Sequence, residues 1–346
     1  MSSSLRIVSA IVPCRNEQRY IEAFCRSVCA QVLPANWSLQ LVIADGSSDD
    51  GTREMLDHLS TAESRIRWID NPELIVSTGL NRALARADGE VIVRMDVHTD
   101  YAIDYIDQCI SVLEETGADN VGGAWRAVPD DGAGPMQKAV ASAFQSRWVA
   151  GGALSRRLDH DGWVDTVYLG CWPRATFERF GGFDESLARN QDDEHNLRLV
   201  RGGGRVWQSS RIRSTYHPRA SLLQVFRQYF QYGYWKPFVI RKHRQAASSR
   251  HLVPAAFVGA LVLLSVTTLL GVPAWPLATL LLLYLGAVGI MTIGVALSAK
   301  VGIGALARVP MVIAAYHFGY GLGSLLGLWD VLRGVRANKR YAALTR

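Results

Sequence analysis

Between His195 and Trp329 the chain contains no Asp and no Glu. Residues 1–194 hold 30 acidic and 18 basic side chains, and after them only Asp330 is acidic. Twelve Arg and Lys fall between Arg198 and Arg250 with no acid among them. A uniformly basic domain would suit nucleic acid. This block runs directly into long apolar stretches, so nucleic acid is set aside and anionic membrane lipids are the expected partner. Cysteine is scarce too: five residues (14, 25, 29, 109, 171), odd in number and without Cys-x-x-Cys spacing. That argues against a disulfide or zinc framework and suits small apolar side chains in a reducing compartment. The opening MSSSLRIVSAIVPCRNE has too short an apolar run for a signal peptide. It reads as a first strand, with the N-terminal domain in the cytoplasm.

Over the first two hundred residues strand and helix signals alternate. Ile7–Val12 is apolar and β-branched and is closed by Pro13; Glu17–Gln31 has helical spacing. Leu39–Ala44 is a second buried strand, followed by the turn-rich DGSSDDG and a helix through Met55 and Leu59. Ile66–Ile69 is a third strand, Ser77 caps a helix to Ala87, and Asp88-Gly89 turns into a strand ending at Asp96. Asn120–Ala127 adds a strand and Pro135–Leu154 a helix. This rhythm predicts an α/β fold with a mostly parallel, doubly wound sheet.

After Val206 the character changes. Ser221–Arg244 mixes aromatic residues with six Arg, Lys or His and suits a membrane headgroup interface, or else an amphipathic helix packed on the sheet. Leu252–Val272 and Trp275–Leu297 are uncharged and long enough for about 30 Å of hydrocarbon, and they predict a helical hairpin with both outer ends inside. In 308–329, Gly319, Gly323 and Gly327 recur every fourth residue, a face for close helix packing. The favoured reading is a re-entrant or interfacial helix docked on the hairpin, the second a third span; a basic tail follows.

Three acidic constellations can carry chemistry. EVIVRMDVH at 90–98 ends an apolar strand in Asp96, with His98 two residues on. Period-two geometry puts both on one side of an extended segment, at the mouth where an open α/β sheet holds ligands. There they can hold a divalent cation (Mg or Mn) against a diphosphate, or Asp96 can cap the next helix with His98 in solvent. Asp45 ends LVIA at the next such mouth and opens a loop whose small residues, Ser47 among them, let the backbone approach a nucleotide; the alternative is a capped turn. Pro13-Cys14-Arg15-Asn16-Glu17 would form the other wall of a nucleoside pocket, or simply a helix start. Asp192, Asp193 and Glu194 crowd before a helical pattern, suiting a general base or a helix N-terminus favourable with its dipole.

Taken together, IVPCRNE, ADGSSDDGT, MDVH, GGFDE at 181–185 and QDDEHNLRL resemble glycosyltransferase family 2 with its GT-A fold, over roughly residues 5–240. Residues from Tyr168 to Tyr234 look most like the bacterial exopolysaccharide glucosyltransferases of the succinoglycan type. The resemblance implies a Rossmann-like catalytic domain at 1–220, an interfacial segment at 221–250 and a membrane domain at 251–346. It implies that Asp45 contacts uridine, that Asp96 contacts the ribose and the diphosphate side of the metal, and that His98 takes the third metal-binding position, where Asp is commoner. Asp192 matches the catalytic Asp; Gln191 replaces the usual acid before it, so Asp193 is a second candidate. Arg211, Arg213 and His217 are candidates to stabilise the departing diphosphate, His217 also as a metal ligand. Trp172 stacks on a sugar or is a core residue. QYGYW at 231–235 lacks the Arg of processive synthases.

The implied activity is inverting transfer of a sugar, with UDP-glucose the expected donor, onto a lipid-linked saccharide at the bacterial inner membrane. The alternatives are loading of a single sugar onto polyprenyl phosphate, a processive synthase, and a catalytically silent nucleotide-sugar-binding scaffold.

Overall fold

The computed structural model describes residues 5–149, 151–245 and 248–335. The chain divides into two compact units: Met1–Arg126 with Leu154–Tyr216, and Ala127–Ala153 with His217–Arg346.

The strands are β1 (Arg6–Cys14), β2 (Trp37–Asp45), β3 (Ile66–Asp70), β4 (Val91–Arg94), β5 (Thr99–Tyr101), β6 (Asn120–Gly123), β7 (Trp125–Ala127), β8 (Gly162–Val164), β9 (Tyr168–Pro173), β10 (Val206–Gln208) and β11 (Ser214–Tyr216). Eight of them form one sheet in the order β3-β2-β1-β4-β9-β6-β10-β8, and β5-β11-β7 form a small second one. The apolar strands are buried on both faces, and period two sorts their side chains. Val8, Ala10 and Val12 of β1 with Leu41 and Ile43 of β2 pack against the helices Ile21–Cys29, Thr52–Ala62 and Tyr105–Thr116. Ile11, Val42 and Ala44 face the opposite way, onto Leu80, Ala83, Phe177 and Leu199 of the helices Val76–Arg86, Arg174–Phe180 and Gln191–Arg201. Each such fully buried Val, Leu or Ile contributes roughly 1.5–3 kcal/mol of transfer free energy. Cys25 lies in this core, where burial pushes its thiol up to about 12 and keeps it inert.

The parallel half, β3-β2-β1-β4, is as the sequence predicts. Beyond β4 the sheet is mixed, because β9 runs antiparallel to both β4 and β6. The predicted strand Asn120–Ala127 breaks at Ala124 into β6 and β7, which belong to different sheets. The register aligns Cys14 with Asp45 and Ile11 with Arg94. The carboxyl ends of β2, β1 and β4 therefore open on one edge, where the strand order reverses about β1.

In the second unit the expected helix Pro135–Leu154 stops at Gln145, where Ser146 turns extended. Helix Leu222–His243 covers most of the aromatic-basic segment. Ser249–Leu269, Trp275–Ser298 and Ile303–Leu332 are long and apolar enough to cross a membrane by length and composition. The first two, five residues apart, pack Phe257 on Tyr284 with ring centroids 4.4 Å apart. Within the third, Val309–Leu332 is one unbroken helix. Its glycine face docks mainly on Leu222–His243 rather than on the hairpin. A Cβ on Gly323 would lie 2.1 Å from the Phe230 carbonyl oxygen and one on Gly327 2.1 Å from that of Tyr234, while Gly233 meets Tyr320 as closely from the other side. Gly321 alone of this set faces the first apolar helix, at Pro254 and Val258. The Tyr234 hydroxyl donates to Asp330 at 2.7 Å, giving the only late acid a partner. The basic tail beyond residue 335 lies outside the described residues.

Gly323→Leu places a side chain where a backbone carbonyl stands. It is expected to destabilise the second unit by about 1–3 kcal/mol, read as a lowered midpoint of thermal unfolding in detergent. Leu322→Ala, on the exposed side of the same helix, should change it far less.

Candidate active site

The carboxyl edge of the sheet gathers most of the residues singled out from sequence. At the end of β1, Asn16 adopts a positive φ of 54°, and Ser47 in the facing loop one of 51°. Such left-handed backbone is tolerable for Asn and uncommon for Ser, and it turns both loops inward. They are tied together: the Asn16 amide donates to Ser48 Oγ at 2.8 Å, Asn16 Nδ2 to Asp49 at 2.9 Å and the Glu17 amide to Thr52 Oγ1 at 2.7 Å. Gly46 donates to the Cys14 carbonyl at 2.8 Å. Pro13, Arg15 and Asn16 are half-buried and Ser47 is exposed.

Asp45 is completely buried, and its carboxylate is already occupied. Oδ2 accepts from Arg53 Nε at 2.7 Å and from the Ser48 amide at 3.0 Å, and Oδ1 accepts from Ser48 Oγ. The expected contact with uridine would therefore be made by a carboxylate that Ser48 and Arg53 already hold in place. Asp45 organises the loop from below, and Arg53, which also reaches Asp70, is its counter-ion.

The expected Asp96–His98 pairing is corrected. β4 ends at Arg94 and Val97-His98 lie in a turn closed by the Thr99 amide on the Asp96 carbonyl at 3.2 Å, so period two no longer applies after Asp96. His98 Nε2 instead meets Glu17 Oε2 at 2.8 Å, with Tyr20 edge-on at 4.8 Å. The alternation holds in the other direction, for the residue two places before Asp96 is Arg94. Its guanidinium is buried beside the Asp96 carboxylate, with Nη2 at 3.3 Å from Oδ2, while Nη1 lies 3.8 Å from Asp192 Oδ2. Arg94 was missed; its signal was a lone charge inside the apolar run EVIVRMD. Tyr101 braces the same turn, accepting from the Asp96 amide at 2.7 Å, and Tyr168 shares a hydrogen bond with Thr99 at 2.8 Å. Burial and the charge of Asp96 push the Tyr168 hydroxyl far above its ordinary range, so it stays neutral.

Asp192 and Asp193 open helix Gln191–Arg201. Arg198 holds that helix against the GGFDE stretch, donating to the carbonyls of Phe180 and Gly182 and to Glu194. Asn81 pins Phe183 from the other side, by two hydrogen bonds of 2.8 Å. Surrounding protein raises the pKa of Asp192, neighbouring Asp193 adds to the rise, and Arg94 opposes it.

Four further candidates lie elsewhere. Trp172 is 1% exposed between Phe177, Phe183 and His195, so it is core and cannot stack on a sugar. Arg211 pairs with Glu115 and Arg213 with Asp104, and neither makes a contact with Asp96 or Asp192. His217 belongs to the second unit, where its Nδ1 lies 2.9 Å from Asp130.

Among the described residues no three His, Cys, Asp or Glu cluster to hold a metal by themselves. Asp96, a hard oxygen donor a third exposed and only loosely met by Arg94, fits a cation whose remaining ligands come from a diphosphate. His98, with Nε2 on Glu17, retains Nδ1 for such a role.

A glycosyl transferase family 2 model matches residues 9–170. The succinoglycan biosynthesis protein ExoA of Rhizobium meliloti (strain 1021) is 36% identical over 248 residues, 71% of this chain and 74% of that protein. The chain belongs to glycosyl transferase family 2. It is a glycosyltransferase. A dolichyl N-acetyl-α-D-glucosaminyl phosphate glucuronosyltransferase of Methanococcus voltae is 24% identical over 69% of the chain and 75% of its own length. The mannosyltransferase PcManGT of Pyrobaculum calidifontis, solved with GDP-Man and Mn²⁺, shares the fold at a TM-score of 0.58 and 19% identity, over 93% of this chain and 87% of that one. Family and fold together make the first unit a GT-A domain.

Arg53→Ala leaves the Asp45 carboxylate buried without its counter-ion. Because Arg53 is itself one-third exposed, the expected loss is about 2–3 kcal/mol, below that for a wholly buried pair, measured by thermal unfolding.

Proposed function

We propose that this enzyme transfers a sugar with inversion from a nucleotide-activated donor, UDP-glucose, onto a polyprenyl-diphosphate-linked saccharide in bacterial envelope or exopolysaccharide synthesis. The observation that carries the reading is the meeting of Asp96 and Asp192 on one buried guanidinium at the carboxyl edge of the sheet. Asp192 acts as general base, taking the proton of the acceptor hydroxyl as that oxygen attacks the anomeric carbon. Asp193, next to it, modulates its charge. Asp96, with His98 beside it in sequence, is where Mg²⁺ or Mn²⁺ would be held; the cation would supply charge stabilisation to the diphosphate leaving group. The loops of Pro13–Glu17 and Asp45–Ser48 form the nucleoside wall. PcManGT, solved with GDP-Man and Mn²⁺, supports a donor and cation of this class. The Methanococcus voltae relative, named for a dolichyl phosphate-linked sugar, supports a lipid-linked acceptor. The three apolar helices and the basic helix Leu222–His243 support an inner-membrane enzyme held on anionic lipid, with its catalytic unit in the cytoplasm.

The test is a screen of radiolabelled nucleotide-sugars on purified membranes, with and without Mn²⁺ or Mg²⁺, followed by lipid extraction. Label from one donor should enter the organic phase with a lipid-linked acceptor. Transfer to soluble sugars alone would refute the acceptor, and full activity in a chelator would refute the cation.

Asp192→Asn should lower kcat by about 10²-fold or more while donor binding survives. For the wild type, kcat/KM should fall as pH drops through a value above the ordinary aspartate range, because the base works only when ionised. For stability the sign is opposite. A carboxyl with a raised native pKa favours the folded state at low pH and loses that contribution as pH rises through it. At neutral pH the Asn variant should therefore be no less stable than the wild type by thermal unfolding.

A further inference from the structure

Arg94 is 6% exposed, and its hydrogen bonding is incomplete. Nη2 reaches Asp96 only at 3.3 and 3.4 Å, Nη1 stands 3.8 Å from Asp192, and neither Nε nor Nη1 has an acceptor among the described residues. A guanidinium placed for packing looks different. Arg198 engages all three of its nitrogens, on Glu194, Phe180 and Gly182. Leaving buried donors unmatched costs free energy, so Arg94 is held in an arrangement that the loaded site completes.

The two carboxylates in its reach have different tasks under the reading above, on which this inference rests. Asp96 is to receive a divalent cation, and a dication and a guanidinium compete for one carboxylate and repel each other. When the cation arrives, the other anion within reach of Arg94 is Asp192, and Nη1 needs to approach it by only about 1 Å to form a normal hydrogen bond. We propose that Arg94 is a positioning residue that serves as an internal counter-ion. It keeps the cation's place on Asp96 while the donor is absent and passes to Asp192 when donor and cation are bound. The base is then oriented by a charge-assisted hydrogen bond only in the donor-loaded enzyme, so the donor binds before the acceptor is deprotonated.

The experiment is Mn²⁺ binding to the full-length protein in detergent, followed by electron paramagnetic resonance with and without UDP, alongside turnover. Arg94→Met should bind Mn²⁺ alone about tenfold tighter or more, because the competing charge is gone, while kcat falls about tenfold or more. Arg94→Lys keeps a cation and should return Mn²⁺ affinity to the wild-type range. A merely structural role would weaken binding and turnover together. If the wild type takes up Mn²⁺ with UDP but Arg94→Met binds it no tighter, the counter-ion inference falls and the cation reading stands. If the wild type takes up neither Mn²⁺ nor Mg²⁺ even with UDP, the cation reading fails and this inference with it. Should Arg94→Met not fold, Asp192→Asn serves in its place. With no second carboxylate to receive Arg94, its Mn²⁺–UDP complex should weaken by about threefold or more; unchanged affinity would overturn the inference.

Discussion

Two carboxylates in partly dehydrated surroundings stay charged more readily when a cation lies with them. In this enzyme that cation is built into the sheet. Arg94 is the last residue of β4, paired in parallel with β1, so its position follows from the register of the buried core rather than from any loop. Asp96 comes two residues later on a turn braced by Tyr101, and Asp192 arrives on a helix clamped by Arg198. The site is thus assembled from separate stretches of chain, each fixed by its own hydrogen bonds, with one guanidinium as the shared reference.

Much of this was legible in the sequence. Apolar runs of the right length marked β1, β2 and β4, and their closing residues marked the ligand-binding edge, because a doubly wound sheet opens there. Motif order carried the family. What was misread shares a physical cause: side-chain direction beyond the end of a regular element. Asp96 to His98 looked like continued alternation, but hydrogen bonds to Tyr101 and Thr99 bend the chain, and His98 turns to Glu17. Asp45 stands at a strand mouth as expected, though nothing in its own motif showed that Arg53, on the following helix, would hold its carboxylate. Trp172 was ambiguous because a tryptophan serves a core or a sugar equally well, and only the surrounding Phe177, Phe183 and His195 decide. Arg94 could have been found. A charge inside a strand buried on both faces needs a partner of opposite sign, and Asp96 was two residues away.

In the second unit the glycine repeat was read correctly as a packing face, while its main partner was not. Periodicity states which side of a helix is smooth; it carries no information about which neighbour lies against it. That neighbour is the basic, aromatic helix Leu222–His243, and the contact is close enough that backbone meets backbone. Tyr234 to Asp330 adds a polar tie between the same two helices. The basic, aromatic helix and an apolar one are thereby a single mechanical piece.

The stretch Ala127–Ala153 leaves the GT-A unit, packs Ala139, Val140 and Ala143 with Val309 and Val312 of the last helix, and then returns. The catalytic unit is consequently made of two lengths of polypeptide, and no single stop codon separates it from its anchor. A gene cut after residue 216 would still encode that excursion, now with an apolar face and nothing to cover it. Shedding the anchor takes two coordinated edits, a shortened bridge from Arg126 to Leu154 as well as an earlier terminus, so a soluble descendant of this architecture is not one mutation away.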